Sequence, residues 1–508
     1  MVTQLAEDQT QAEHASIAAL RWSAIDAIAR QGVTFGVTII LARLLSPAEF
    51  GLVGMLSIFT ALASSIVDSG FGSALIQRRA ITETDKSSVF YFNAAMGALG
   101  GAALFLAASP IAHFYRQPLL LPMMRWMALN LFVESLGVVQ VALLTRNLEF
   151  RPQFKAGFLA LLVSGTVAVS MAACGCGVWS LVAQTVVFTA VFTGAVWTLC
   201  SWRPRTGFCG ESLRTLARFG SPLLVSGLLN VVFDRLHLMI IGKSFSAEQL
   251  GYYTRAYSTQ QFPSGLLSAI VGRVMFPVFS QMSADLELLR RRVQHALVSL
   301  MVITLPVMFG LAVVAEPLVL MLFGRKWLPC APYLQLLSVA GLCWPIHIVN
   351  LNVTLAVGRA DLFLRLEIMK KILIAGGILC TFRISVLAMV WATVIVSMLC
   401  TVVNSHYTEM LIHYGFRKQL RDLAPYVGSS FLMACAGWGA TRIVGAAPGL
   451  QVMIAIMTSA ASYAACCRVF KLEGWTTVKT LLSCRCDNGS AVPPRISCMQ
   501  TIEQIKSR

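Results

Sequence analysis

The feature that most constrains this chain is a near-continuous series of long apolar segments. About fourteen can be delimited, each long enough to cross a bilayer, because roughly 20 apolar residues span the hydrocarbon core as a helix. A helix also satisfies its own backbone hydrogen bonds, as lipid requires. Little soluble sequence lies between the segments, so we expect an all-α polytopic membrane protein that works between its helices.

The segments form two sets of six and a final pair. The predicted spans are 18–43, 51–76, 87–113, 119–145, 157–174 and 178–200; then 216–241, 250–281, 293–315, 330–357, 360–382 and 384–408; and last 423–445 and 449–468. After about residue 470 the chain turns polar, which is typical of a disordered tail. We therefore predict a cytoplasmic N-terminal segment, an N-lobe, a cytoplasmic inter-lobe loop, a C-lobe, a helix pair with its preceding loop, and a cytoplasmic tail: 1–17, 18–200, 201–215, 216–408, 409–469 and 470–508.

Composition agrees with a membrane protein. Hydrophobic residues make up 57% of the chain and charged residues 12%, whereas a soluble domain has about 25% charged residues. The net charge of +17 does not by itself indicate nucleic acid, since Lys and Arg gather in cytoplasmic loops. The 14 cysteines show no four-ligand metal pattern. Nucleotide-binding loops and catalytic triad or HExxH motifs are also missing, so we expect no metal, no cofactor and no enzymatic activity.

Positive charge alternates between successive loops. One set of loops carries sixteen Lys and Arg residues, and the other carries six. The positive-inside rule places the richer set in the cytoplasm. Both termini are then cytoplasmic, which requires an even number of spans and agrees with fourteen.

A short pattern recurs in the two sets of six spans. Residues 43–51 read RLLSPAEFG and residues 243–251 read KSFSAEQLG, each after an apolar run that ends in two isoleucines. The basic residue, the serine and the glycine recur about 200 residues apart. Because six spans return the chain to the same side, the repeat predicts two pseudo-symmetric lobes related by an axis along the membrane normal.

Charged residues inside predicted spans are the candidate functional groups, because such charges are costly in lipid unless they are paired or hydrated. Asp26 and Arg30 lie at i and i+4 in the first span, and Asp234 and Arg235 are adjacent in the seventh. Each couple could be an ion pair that fixes helices or part of a hydrated cavity. The two aspartates are also candidates for ion coupling.

The eighth predicted span adds Arg255 and Arg273, which we expect to face the same cavity. With Arg30 and Arg235, these arginines outnumber the acids inside the spans. An uncompensated basic cavity favours an anion, and a guanidinium matches phosphate oxygens well. The sequence therefore predicts a phosphate-binding cavity between the lobes.

Six stretches resemble Wzx-type polysaccharide flippases in combination. They are residues 42–51, 68–77, 177–184, 202–204, 273–280 and 324–327, and the similarity covers most of 18–410. Within the first two stretches, the residues that match the family motif are Arg43, Pro47, Gly51, Asp68, Gly70 and Gly72.

The resemblance implies a transporter of undecaprenyl-diphosphate-linked oligosaccharides in the bacterial inner membrane. Such a protein would serve exopolysaccharide, O-antigen or capsule synthesis, together with polymerase and export proteins. Its two lobes would form a V and open alternately inward and outward. The arginines would hold the diphosphate while the prenyl chain stays in lipid.

Two other classes stay open. A drug or cation antiporter of the same fold would place acids at the cavity centre, whereas here basic residues predominate in the spans. A membrane polysaccharide polymerase or ligase would carry a substantial external loop, and the loops on that side are short.

Overall fold

The computed structural model describes residues 29–68, 70–78, 81–443 and 447–470, without the side chains of 212, 213, 215–219, 222, 223, 266–274, 276, 277 and 360. Regular structure in these ranges is helical, and no β-strand occurs in them. The predicted all-α fold is confirmed. The predicted N-terminal segment and nearly all of the predicted tail lie outside the described residues.

The helices follow one another through short connections. In chain order they are α1 (29–44), α2 (Pro47–Asp68), α3 (Phe71–Gln77), α4 (Glu83–Tyr115), α5 (Leu120–Ser135), α6 (Val138–Arg146), α7 (Phe150–Ala173), α8 (Trp179–Leu199), α9 (Gly210–Ser244), α10 (Ala247–Gln281), α11 (Leu286–Val313), α12 (Ala315–Leu322), a 3-10 helix (Arg325–Cys330), α13 (Ala331–Gly341), α14 (Trp344–Ala356), α15 (Ala360–Thr381), α16 (Val386–Ile412), α17 (Phe416–Ile443) and α18 (Pro448–Val469).

Ten stretches of the described chain are long and apolar enough to cross a membrane. Each coincides with a predicted span, so the chain is an integral membrane protein. The other four predicted spans correspond to α1, α10, α15 and α17. The last three carry more polar residues, and α1 is described only over 29–44. The count of fourteen therefore stays a prediction.

The second predicted span bends beside Asp68. There α2 ends, and Gly70 precedes α3 with a φ of 70°. This left-handed backbone conformation favours glycine, because a Cβ would strain it. This conformation explains the glycine of the family motif.

The repeated pattern marks two equivalent helix starts. Pro47 is the first residue of α2, where a fixed φ and a missing N–H cost nothing. Ser46 donates to the Glu49 side chain through both its N–H (2.6 Å) and its hydroxyl (2.8 Å). In the second copy, Ser246 caps α10 by accepting from the N–H of Gln249 at 3.2 Å. The pattern is thus a helix N-terminal cap in both places.

The two copies contact each other through glycine. A Cβ built on Gly51 would overlap the carbonyl oxygen of Ala247, and a Cβ built on Gly251 would overlap that of Pro47. The contacts are reciprocal, as two-fold pseudo-symmetry requires. Small residues let helix backbones approach closely in lipid. We call the end of the bundle that holds residues 43–51 and 243–251 the motif end.

The largest hydrophobic cluster joins both halves of the chain near the motif end. Met55 and Tyr115 from the first half share it with Leu250, Tyr253 and Trp327 from the second. A separate cluster holds α10, α11, α14, α17 and α18 together. Since lipid is itself apolar, close packing rather than release of water stabilises such contacts.

We expect Gly51→Ala and Gly251→Ala each to push α2 and α10 apart, because the new methyl group would meet a backbone carbonyl. Overpacking typically costs about 1–3 kcal/mol, so each purified variant should unfold at a lower temperature than the wild type in the same detergent. Gly376→Ala in α15 is the control, since a Cβ there meets nothing within 4 Å. Unchanged thermal stability in both test variants would contradict the assigned contact.

Candidate functional site

A cavity of about 890 Å³ lies between α2, α3, α5, α6 and α8 of the first half. One wall residue, Arg235 of α9, comes from the second half. The polar residues of the wall are Ser57, Thr60, Ser64, Ser65, Asp68, Ser73, Asn130, Glu134, Thr145, Thr185, Thr189, Thr193 and Arg235. The cavity lies along the part of α2 that is remote from the motif end.

Most hydroxyl groups on this wall already donate a hydrogen bond to another group of the protein. Hydrogen bonds of 2.7–3.4 Å to main-chain carbonyl oxygens use the protons of Ser57, Thr60, Thr145, Thr185, Thr189 and Thr193. A hydroxyl has one proton and two lone pairs. These side chains therefore present mainly hydrogen-bond acceptors to the cavity.

Two acids and an amide add further acceptors. The hydroxyl of Ser64 donates to Glu134 Oε2 at 2.9 Å, which fixes that carboxylate in the wall. Asp68 is exposed at the end of α2. Asn130 is only 8% exposed, and its Oδ1 has no hydrogen-bond partner in the described part of the chain. Buried polar atoms are normally paired, whereas this oxygen is unpaired within the described residues and has almost no accessible surface of its own.

This cavity is not the basic cavity predicted between the lobes, because its wall comes almost entirely from the first half. Arg235 is the one Lys or Arg among its described residues, and the acids Asp68 and Glu134 share the wall with it. The prediction rested on the charges of whole spans, whereas only one face of each helix lines the cavity. Arg30 and Arg255 lie elsewhere.

Arg235 lies on the wall of this cavity. Its side chain is exposed, and it forms no ion pair or hydrogen bond with another described side chain. Asp234, its neighbour in α9, is exposed as well. A guanidinium with free N–H groups can bind two oxygens of one phosphate at once.

Arg30 lies behind the cavity wall instead of on it. It donates to the carbonyl oxygen of Gln153 at 3.1 Å, and its guanidinium is 5.9 Å from the ring centroid of Phe192, which lines the cavity. It also rests on Gly157, where any Cβ would overlap the guanidinium. Arg30 thus packs α1 against α7.

Arg255 does not face water, contrary to the prediction. It is 5% exposed and lies over the rings of Phe50, Phe323 and Trp327, at 4.4, 5.6 and 5.6 Å from their centroids. Aromatic faces attract a desolvated cation by about 2 kcal/mol or more. The three rings come from both halves of the chain, so they enclose the guanidinium only in the folded protein.

Two of the predicted site residues have no described side chain. Asp26 lies outside the described residues. Arg273 belongs to α10, but its side chain is among those not described. In the described ranges, no group of three or more His, Cys, Asp or Glu side chains could hold a metal ion.

Arg43 of the family motif takes part in a reciprocal clasp between the halves, formed with Lys326 and Trp327. Arg43 donates to the carbonyl oxygens of Met321 and Leu322, which end α12. In return, Lys326 donates to Arg43 and Leu45, and the indole of Trp327 donates to Ala42, at 2.5–2.8 Å. Because the last carbonyls of a helix lack partners of their own, each half caps a helix of the other.

The remaining motif glycines differ in their packing. A Cβ on Gly70 would approach the carbonyl oxygen of Gly220 in α9 to 2.7 Å, so this position admits only glycine. A Cβ on Gly72 would meet its neighbours at ordinary distances of 3.4–4.0 Å. Gly70 therefore marks a second close contact between the halves, at the far end of the bundle from the motif end.

The sequence interpretation missed the hydroxyl-rich face. Thr185, Thr189 and Thr193 recur every four residues in α8, and Ser57, Thr60 and Ser64 recur at similar spacing in α2. Residues three or four apart share one face of a helix. Polar stripes of this kind in otherwise apolar spans were the available signal.

Sequence comparison identifies relatives of one kind. A profile of proteins described as polysaccharide biosynthesis protein matches residues 40–332, more than half of the chain. The succinoglycan biosynthesis transport protein ExoT of Rhizobium meliloti is 31% identical over 63% of this chain and 65% of its own length, just under two thirds of that relative. The lipopolysaccharide biosynthesis protein WzxC of Escherichia coli is 28% identical over 72% of this chain and 74% of its own length.

Two solved structures of transporters share the fold of this chain. The lipid II flippase MurJ in an inward closed conformation superposes with a TM-score of 0.71, covering 89% of this chain and 99% of MurJ at 12% identity. A multidrug resistance MATE family transporter in an inward-facing conformation has a TM-score of 0.58, covering 76% of this chain and 98% of its own at 14% identity. The helical arrangement is therefore that of this group of transporters.

Proposed function

This chain belongs to the polysaccharide biosynthesis protein family, and on that premise we propose that it moves polyprenyl-diphosphate-linked oligosaccharide units across the bacterial inner membrane. The proposal agrees with the transport and biosynthesis names of its relatives. The polymer built from the units would be an exopolysaccharide, capsule or lipopolysaccharide.

The observation that carries the proposal is the cavity with one unpaired guanidinium at its edge. Arg235 can bind the diphosphate, while the acceptor-rich part of the wall can bind sugar hydroxyl groups. The prenyl chain would stay in lipid, since burying it in a polar cavity would gain nothing. Arg273 remains a proposed second ligand of the diphosphate, and Asp26 and Asp234 remain proposed sites for a coupling ion.

The architecture that fits this function has fourteen spans. We propose two six-helix lobes, 18–200 and 216–408, followed by two further helices, with the motif end on the outer side of the membrane. Contact between the halves at the motif end would close the cavity to the outside. Transport would require that contact to open, as in alternating access.

A cation or drug antiporter of the same fold is the second candidate. Asp68 and Glu134 on the cavity wall favour it, because carboxylates attract cations. Proton-driven dye efflux from proteoliposomes would identify this activity. Movement of a lipid-linked saccharide without such efflux would exclude it.

We expect Arg235→Ala to abolish polymer export while the protein level stays near normal, because the variant leaves the diphosphate without its cation. Arg235→Lys should restore only part of the export, since an ammonium group does not provide the guanidinium fork. The measurement is cell-surface polysaccharide in a bacterium that carries only the variant, with protein quantified by immunoblot.

Arg383→Ala is the matched control, because Arg383 is also exposed but stacks on Phe382 away from the cavity. It should export normally. Normal export by Arg235→Ala would remove Arg235 from the proposed site.

The proposed topology places both termini in the cytoplasm. Reporter fusions after Asp422 and after Lys471 should both report cytoplasm, because the basic loops alternate in that register. A periplasmic signal after Lys471 would contradict the count of fourteen.

A further inference from the structure

The wall of the cavity offers mainly hydrogen-bond acceptors. Six of its hydroxyl groups donate to main-chain carbonyl oxygens, and that of Ser64 donates to Glu134. A ligand that satisfies this wall must supply hydrogen-bond donors.

Apart from Arg235, the charged residues of the wall are acidic. Glu134 and Asp68 are both wall residues, and Arg235 is the one described cation on the wall. Under the proposed function, that cation is occupied by the diphosphate. A carboxylate on a sugar ring in the cavity would then meet two carboxylates and a set of lone pairs, with no cation left to pair with it.

We propose that this cavity is a charge-selective sugar subsite, which accepts neutral, hydroxyl-bearing sugar residues and disfavours uronic acids and other acidic sugars. The inference rests on the proposed function and names the substrate class of the same site. Glu134 and the wall hydroxyl groups are its positioning acceptors, and Asp68 adds repulsion. Specificity of this kind comes from an unfavourable interaction with the wrong ligand as well as a favourable one with the right ligand.

The test uses two synthetic lipids that differ in one group. Polyprenyl-diphosphate-linked hexosyl-hexose and hexuronosyl-hexose, each fluorescently labelled, are placed in proteoliposomes with the full-length protein. The appearance of each sugar in the opposite leaflet is followed by its accessibility to an added glycosidase. Wild-type protein should move the neutral lipid at least about tenfold faster, since like charges in close contact are strongly unfavourable.

Glu134→Gln and Asp68→Asn should each reduce that ratio, chiefly by speeding the acidic lipid. Both changes preserve side-chain shape, and Asp68 is exposed, so that its variant does not depend on refitting a buried site. Glu316→Gln is the matched control, because Glu316 is an exposed acid in α12 and is absent from the cavity wall. Its ratio should equal that of the wild type.

The outcomes separate the two claims. Equal rates for both lipids with wild-type protein, or a ratio unchanged in both cavity variants, would overturn the charge-selective subsite and leave the proposed function in place. Failure of both lipids to move would overturn the proposed function itself.

Discussion

Close backbone contact between the two copies of the repeated pattern is the interaction on which the rest of the structure depends. Gly51 lies against Ala247 and Gly251 lies against Pro47, and no larger residue could occupy either glycine position without moving a helix. The clasp formed by Arg43, Lys326 and Trp327 lies at the same end of the bundle, and its hydrogen bonds also cross between the halves. Because all of these hydrogen bonds join the two halves, the motif end can open only if all of them break.

One helix connects this contact to the cavity. Along α2, Gly51 and Gly54 face α10, and further on Ser57, Ser64 and Asp68 line the cavity. A rotation of α2 that separates the glycines would therefore also move the sugar-facing side chains. At the other end of α2, Gly70 approaches Gly220. The helix thus has a close contact with the second half at each end and the proposed binding site between them.

The sequence predicted the helices well, because long apolar runs leave a chain in lipid little choice but to form them. The repeated pattern at 43–51 and 243–251 was also visible in the sequence, since helix caps are local signals. The placement of the arginines was harder to predict. Arg255 is enclosed by Phe50 and Trp327, which are distant in sequence, and no local pattern indicates such a contact. The acceptor-rich wall depends likewise on which face of each helix turns inward.

The central claim is that the motif end opens during transport. It is tested most directly by double electron–electron resonance between spin labels at Leu44 and Ser244, in a protein whose native cysteines have been replaced. These are exposed and equivalent positions of the two halves. Labels at Gln77 and Ala284 report on the opposite end. We predict a short distance at the motif end in the resting protein, and a second, longer distance when lipid-linked saccharide is supplied. A single unchanged distance at the motif end in protein that is actively transporting would contradict the account.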